Sequence, residues 1–136
     1  NMFPQKPTVP TGQFWDKLNI ALSHLNQQYL QRIQVKIGNK IILVPIDEVI
    51  RFKSEDKYTV VYTLTNQYII DTPLIELEVL LDPRQFVRVH RAHLLAADYI
   101  AEIQREEAGR LCVILKDKYK TVVPVSRNFV KRVRSL

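Results

Sequence analysis

From Arg32 onward, apolar residues recur at every second position in runs too short for most helices, and turn signals close most of the runs. A period of two puts alternate side chains on one face, the pattern of a half-buried strand. Ile33, Val35 and Ile37 alternate with Gln34 and Lys36, and Gly38-Asn39 marks a two-residue hairpin into Ile41 to Val44, which Pro45 stops. Ile50 and Phe52 alternate with Arg51 and Lys53 up to the polar loop Ser54 to Lys57. Tyr58, Val60, Tyr62 and Leu64 make the next strand, and Thr65-Asn66 turns the chain into residues 67–71. Phe86 to His90 and Asp98 to Arg105 read as strands on either side of a connecting stretch 91–97. After the Ala108-Gly109 turn, Leu111, Val113 and Leu115 alternate. Asp117-Lys118 then turns the chain into Tyr119 to Val123, and Pro124 is expected to break that ladder.

Helical spacing appears in three places. Thr72-Pro73 starts a short segment with Leu74, Leu77, Leu80 and Leu81 on one side, ended by Asp82-Pro83. Ser126 is placed to cap a last helix with Phe129, Val130, Val133 and Leu136 inward and Arg127, Lys131, Arg132 and Arg134 outward. At the start, Pro4, Pro7 and Pro10 favour an extended stretch. Thr11 then caps an amphipathic helix carrying Phe14, Leu18, Ala21, Leu22, Leu25 and Tyr29. The expected organisation is a Pro-rich linker plus amphipathic helix in residues 1–30, followed by one β domain in residues 31–136. The expected fold class is mainly β: an elongated antiparallel β-sandwich or roll of about ten short strands. It carries a short mid-domain helix, a C-terminal helix and an N-terminal linker helix. The connections are too short for parallel crossovers.

Charge narrows the function. The chain carries 20 Lys and Arg against 14 Asp and Glu, a net +6 that points to an anionic partner. The surplus is uneven. Residues 116–136 hold seven bases and one acid, and the acid-free stretch 84–97 adds Arg84, Arg88 and Arg91 with His90 and His93. Two such stretches beside turns are expected to join the Lys57 loop in one anion-binding edge. The alternative is an ordinary solvated face. No apolar run approaches the ~20 residues that span a bilayer, and no secretory signal opens the chain. The lone Cys112 rules out an internal disulfide framework and suits a reducing compartment, so a cytoplasmic protein is expected.

Nothing in the sequence points to catalysis. Gly12, Gly38 and Gly109 lie too far apart for a phosphate-cradling loop, and Ser54, Thr59 and Ser126 lack a nucleophile context. His90 and His93, with Asp98 and Cys112, lack the ligand spacing of a metal site, and on a continuous strand the two imidazoles would face opposite ways. His90 reads as a partly buried strand residue, His93 as a loop residue and Cys112 as a small core residue. Neither a metal nor any other cofactor is expected.

Phe86 to Leu95, followed by Asp98-Tyr99-Ile100, resembles the FxRxHRS segment of the LytTR DNA-binding domains of LytR/AlgR-type transcription regulators. Pro124 to Phe129, with the basic helix after it, resembles that family's closing PVSRRY-type motif. Gly38 with Ile46 to Ile50 is similar to its opening hairpin, Ser54 to Tyr58 to its S-x-D-x-Y loop, and Leu74, Leu77 and Leu81 to its leucine helix. The likeness covers about residues 31–136, with the motifs in family order.

The resemblance implies a ten-stranded domain that binds double-stranded DNA through loops entering successive major grooves, with a neighbouring segment along the minor groove between them. It implies the output module of a bacterial two-component response regulator. Carried over position by position, the base-reading residues fall at Tyr58, Arg91 and Arg127. Arg91 and Arg127 can each present a two-donor fork to guanine, and Tyr58 has a second reading as a core residue beside Tyr62. Ser54, Lys57, His93, Lys120, Asn128 and Lys131 are the expected phosphate contacts. Arg88 is expected to pair with an acid inside the fold, Asp47 or Asp98.

The chain departs from the family pattern in two places. Ala92 stands where the family has serine, and Leu95-Ala96 where it has Val-Asn, which bears on a polar loop contact. A homodimer on repeated half-sites is expected, and residues 1–31 are too short to hold an upstream receiver domain. The competing reading is a β-rich interaction or ligand-sensing module whose basic face meets an acidic partner or a membrane surface. A small metal-dependent hydrolase has almost no support.

Overall fold

The computed structural model describes residues 29–136. The Pro-rich stretch and the expected amphipathic helix lie outside the described residues, except for Tyr29 and Leu30. Among the described residues ten strands form, all paired antiparallel. They are β1 (Arg32–Ile37), β2 (Lys40–Pro45), β3 (Val49–Ser54), β4 (Thr59–Thr63), β5 (Gln67–Ile70), β6 (Phe86–His90), β7 (His93–Ala96), β8 (Ile100–Arg105), β9 (Leu111–Leu115) and β10 (Val122–Val125). Two short α-helices accompany them among the described residues, α1 (Leu74–Leu80) and α2 (Val130–Arg134). The strands make a two-stranded hairpin β1-β2, a central five-stranded sheet in the order β5-β4-β3-β7-β6, and a three-stranded sheet β10-β9-β8.

Alternation along the central strands produces two cores on opposite faces. In β6, Phe86 enters one core and Val87 and Val89 the other; in β7, Leu94 and Leu95 divide in the same way. The first core lies under the β1-β2 hairpin and α1, and joins Ile33, Val35 and Val44 to Phe52, Val61, Leu74, Leu77 and Leu81. Phe52 and Phe86 meet there at 5.6 Å between ring centroids. The second core joins the β6 and β7 residues to Leu111, Val113, Leu115, Val123, Val125 and the α2 residue Val133. Each fully buried side chain of this kind contributes about 1.5–3 kcal/mol of transfer free energy.

Several local expectations are corrected. The stretch 91–97 is no mere connection: His93–Ala96 is β7, paired to both β6 and β3. Its residues Leu94, Leu95 and Ala96 are all buried, so an alternating pattern could not reveal it. Consequently Leu95-Ala96 acts in packing rather than in a polar loop contact. Asp98 belongs to a single 3-10 turn, and β8 begins at Ile100. Pro124 sits inside β10, opposite Cys112. It is tolerated because β10 is an edge strand, where a missing N–H costs no ladder bond. Tyr119 stays in the turn, where the Thr121 amide donates to the Asp117 carboxylate at 2.8 Å. Leu136 is exposed rather than inward. Gly38 does supply the hairpin turn, at φ +57.

Candidate nucleic-acid interface

Strand pairing brings three connections to one end of the central sheet. Because β3, β4, β6 and β7 are antiparallel neighbours or share a partner, the end of β3, the start of β4, the end of β6 and the start of β7 coincide. The Ser54 amide donates to the Ala92 carbonyl at 2.8 Å, tying the β3–β4 loop to the β6–β7 turn. Within the loop, the Glu55 amide donates to the Tyr58 carbonyl at 2.8 Å. The Ser126 amide donates to the Val89 carbonyl at 2.9 Å, which fixes the segment between β10 and α2 beside the end of β6. Tyr58, Arg91 and Arg127 therefore share one end of the molecule.

Tyr58 is 43% exposed, which answers the question of a core role in the negative. Arg91 and Arg127 are exposed, and neither side chain forms an ion pair or hydrogen bond among the described residues. Lys57, Asn128 and Lys131 are exposed beside them, and Ser54 is half-buried. Lys120 does not join this group. It sits in the β9–β10 turn with φ +48, at the opposite end of the hairpin from Val125. That turn lines a hollow with Thr63 to Gln67, the far end of β4. The basic run 116–134 is thus divided, with Lys116, Lys118 and Lys120 remote from Arg127 and α2.

The two histidines are cross-strand partners across the β6–β7 turn, so they face the same way rather than oppositely. Their rings meet edge-on at 5.2 Å. His93 opens β7 rather than lying in a loop. Burial, with added repulsion from His90, Arg51 and Lys53, pushes its pKa down to about 4 against a smaller pull from Glu55. It is therefore neutral at pH 7, and a phosphate contact would use its N–H rather than a charge. Its Nδ1 is buried without a partner. His90 accepts the Ala92 amide at 3.1 Å on Nδ1; burial first, then Arg91 and Arg88, lower its pKa.

Arg88 is the residue whose importance the sequence concealed. It does pair with an acid, but the partner is Glu78 on α1 rather than Asp47 or Asp98. Its side chain is 11% exposed, and it also donates to the His90 carbonyl at 2.9 Å and the Arg91 carbonyl at 2.6 Å. A guanidinium spends its planar fork on the turn that presents Arg91. A charged residue between Val87 and Val89 was the visible signal; its partner was not visible. Among the described residues, no group of three or more His, Cys, Asp or Glu is placed to hold a metal ion.

This arrangement coincides with a known family. The model of the LytTr DNA-binding domain matches residues 39–136, well over half the chain. The chain belongs to the LytTR family. The chain's LytTR fold is also seen in a solved LytTr DNA-binding domain of a Bacillus cereus protein. That likeness has a TM-score of 0.69 at 24% identity, over 78% of this chain and 95% of the other. Among curated relatives, the positive alginate biosynthesis regulatory protein of Pseudomonas aeruginosa is 35% identical over 104 residues, 76% of this chain and 42% of its own length. The sensory transduction protein LytT of Bacillus subtilis is 31% identical over 114 residues, 84% of this chain and 45% of its own. The heme-containing CO-sensing transcriptional regulator RcoM 1 of Paraburkholderia xenovorans is 30% identical over 107 residues, 79% and 40% respectively. The chain spans less than half the length of each of these relatives. No helix among the described residues is long and apolar enough to cross a membrane.

Proposed function

We propose that this LytTR domain binds double-stranded DNA sequence-specifically and serves as the output module of a cytoplasmic bacterial transcription regulator. The observation that carries the reading is the convergence of three connections at one sheet end, each exposing one residue with base-reading capacity. Arg91 and Arg127 enter successive major grooves and each takes guanine O6 and N7 with a free guanidinium. Tyr58 contacts a base edge from the neighbouring loop. Lys57, Lys131, Asn128, Ser54 and the neutral N–H of His93 hold phosphates and fix register. Lys120, at the other end, is left out of this surface. The chemistry is binding rather than catalysis, with a receiver or other sensor domain upstream and a homodimer on repeated half-sites.

Selection of bound duplexes from a random pool tests the proposal. A recurrent sequence is expected, and Arg91→Ala or Arg127→Ala should lower discrimination by about 1–3 kcal/mol while the protein stays folded. Equal loss on all sequences would demote that arginine to a phosphate contact. Failure to enrich any sequence, with retained binding to anionic vesicles, would favour the interaction-module reading instead.

A further inference from the structure

Glu78 on α1 touches both reading segments through their arginines. One of its carboxylate oxygens accepts from Arg88 and the other from Arg132 of α2, the latter at 3.1 Å. Arg88 holds the β6–β7 turn through the His90 and Arg91 carbonyls, and α2 continues directly from the Arg127–Phe129 turn. Both guanidiniums also approach the Phe129 ring, at 5.8 and 5.2 Å from its centroid. Two like charges gathered around one ring repel each other, and the carboxylate between them makes the arrangement favourable. Glu78 is itself 28% exposed, Arg88 11% and Arg132 55%, so the brace runs from a sheltered pair outward to the helix surface.

We infer that Glu78 is a positioning residue. It sets the spacing between the Arg91 turn and the Arg127 segment, and thereby the sequence discrimination of the surface, without touching DNA. The inference rests on the DNA-reading function proposed above. Simple electrostatics gives the opposite expectation: removing an acid from a basic domain should tighten binding to any duplex. Positioning requires that binding to the selected duplex weaken all the same.

Glu78→Gln keeps the size and removes the charge. Its affinity for the selected duplex and for a scrambled one, measured by fluorescence anisotropy, separates the two accounts. The expected result is unchanged or tighter binding to the scrambled duplex and about a tenfold fall in the ratio between the two. Arg132→Gln should lower the same ratio, and the double variant should be no worse than Glu78→Gln alone, since both break one brace. Equal tightening on both duplexes, with the ratio kept, would overturn the inference. If Glu78→Gln does not fold, Arg132→Gln carries the test alone, and an unchanged ratio overturns it.

Amide chemical shifts of the DNA-free protein keep this apart from failure of the DNA reading. Should the wild-type chain discriminate no sequence, that reading falls. Glu78→Gln shifts spreading to both His90–Ala92 and Arg127–Phe129 would still uphold the brace, and shifts confined to α1 would end it.

Discussion

At one end of the sheet, Arg91 and Arg127 stand exposed without partners among the described residues. At the other, Arg51 and Lys118 lie against aromatic rings and Asp117 is held by Thr121. Arg51 lies 3.8 Å from the centre of the Tyr62 ring, and Lys118 lies 5.1 Å from that of Tyr119. Burial works against ionisation of Asp117, but hydrogen bonds from the Thr121 hydroxyl and amide, with the charge of Arg51, hold its carboxyl below the ordinary value. Both ends are polar and basic, yet only the first presents guanidinium forks that are exposed as well as unpaired, on loops fixed by backbone hydrogen bonds; at the other, Arg51 lies half-buried against Tyr62 with its Nε unpartnered. A net charge of +6 locates no function until it is known which cations are already spent.

The contrast breaks most severely where a spent arginine supports a free one. Arg88→Leu leaves the His90 and Arg91 carbonyls unpaired and strips Glu78 of one partner, at an expected cost of about 3 kcal/mol. Urea unfolding measures that cost, and discrimination should fall with it in whatever fraction remains folded. Next in size, Lys57→Gln with Lys131→Gln should weaken binding to every duplex and flatten the salt dependence by close to one unit per lysine. Lys118→Gln with Lys120→Gln should leave that slope almost unchanged. An equal effect of the two pairs would erase the distinction between the ends.

Arg51→Met should cost only about 0.5–2 kcal/mol through the lost Tyr62 contact, with duplex discrimination unchanged. A further effect is one of pH. His93 is held to about 4 in the fold, below the ordinary 6.5, so between these values the unfolded chain binds more protons. The stability that the neutral ring contributes is full above pH 6.5 and is lost as the pH falls toward 4. Urea midpoints at pH 7 and pH 5 should show that loss, and His93→Gln should reduce it.

Much of the fold was legible because its rules are local. Alternation marked β1, β3, β4 and β9, the Gly38 turn and Pro45 bounded β2, and Leu74, Leu77 and Leu81 marked the buried side of α1. β7 escaped because Leu94 and Leu95 serve cores on opposite faces, so its residues form an unbroken apolar run. Pro124 misled because its effect depends on whether the strand is central or at an edge, which is a tertiary fact. At the candidate site, Tyr58, Arg91 and Arg127 came from the resemblance to the LytTR motifs, position by position, and not from alternation or charge. The displacement of Lys120 was not visible, since it follows from how the three-stranded sheet aligns with the central one. Glu78 was hidden for a similar reason: its partners lie 10 and 54 residues away in the chain.

The central claim is that one end of the sheet meets DNA and the other does not. Amide shift mapping of the chain titrated with its selected duplex tests this most directly. The account predicts that perturbations concentrate at residues 54–58, 90–93 and 126–131, while 63–67 and 116–121 stay still. Perturbations centred on 63–67 and 116–121, with Arg91 and Arg127 unmoved, would contradict it.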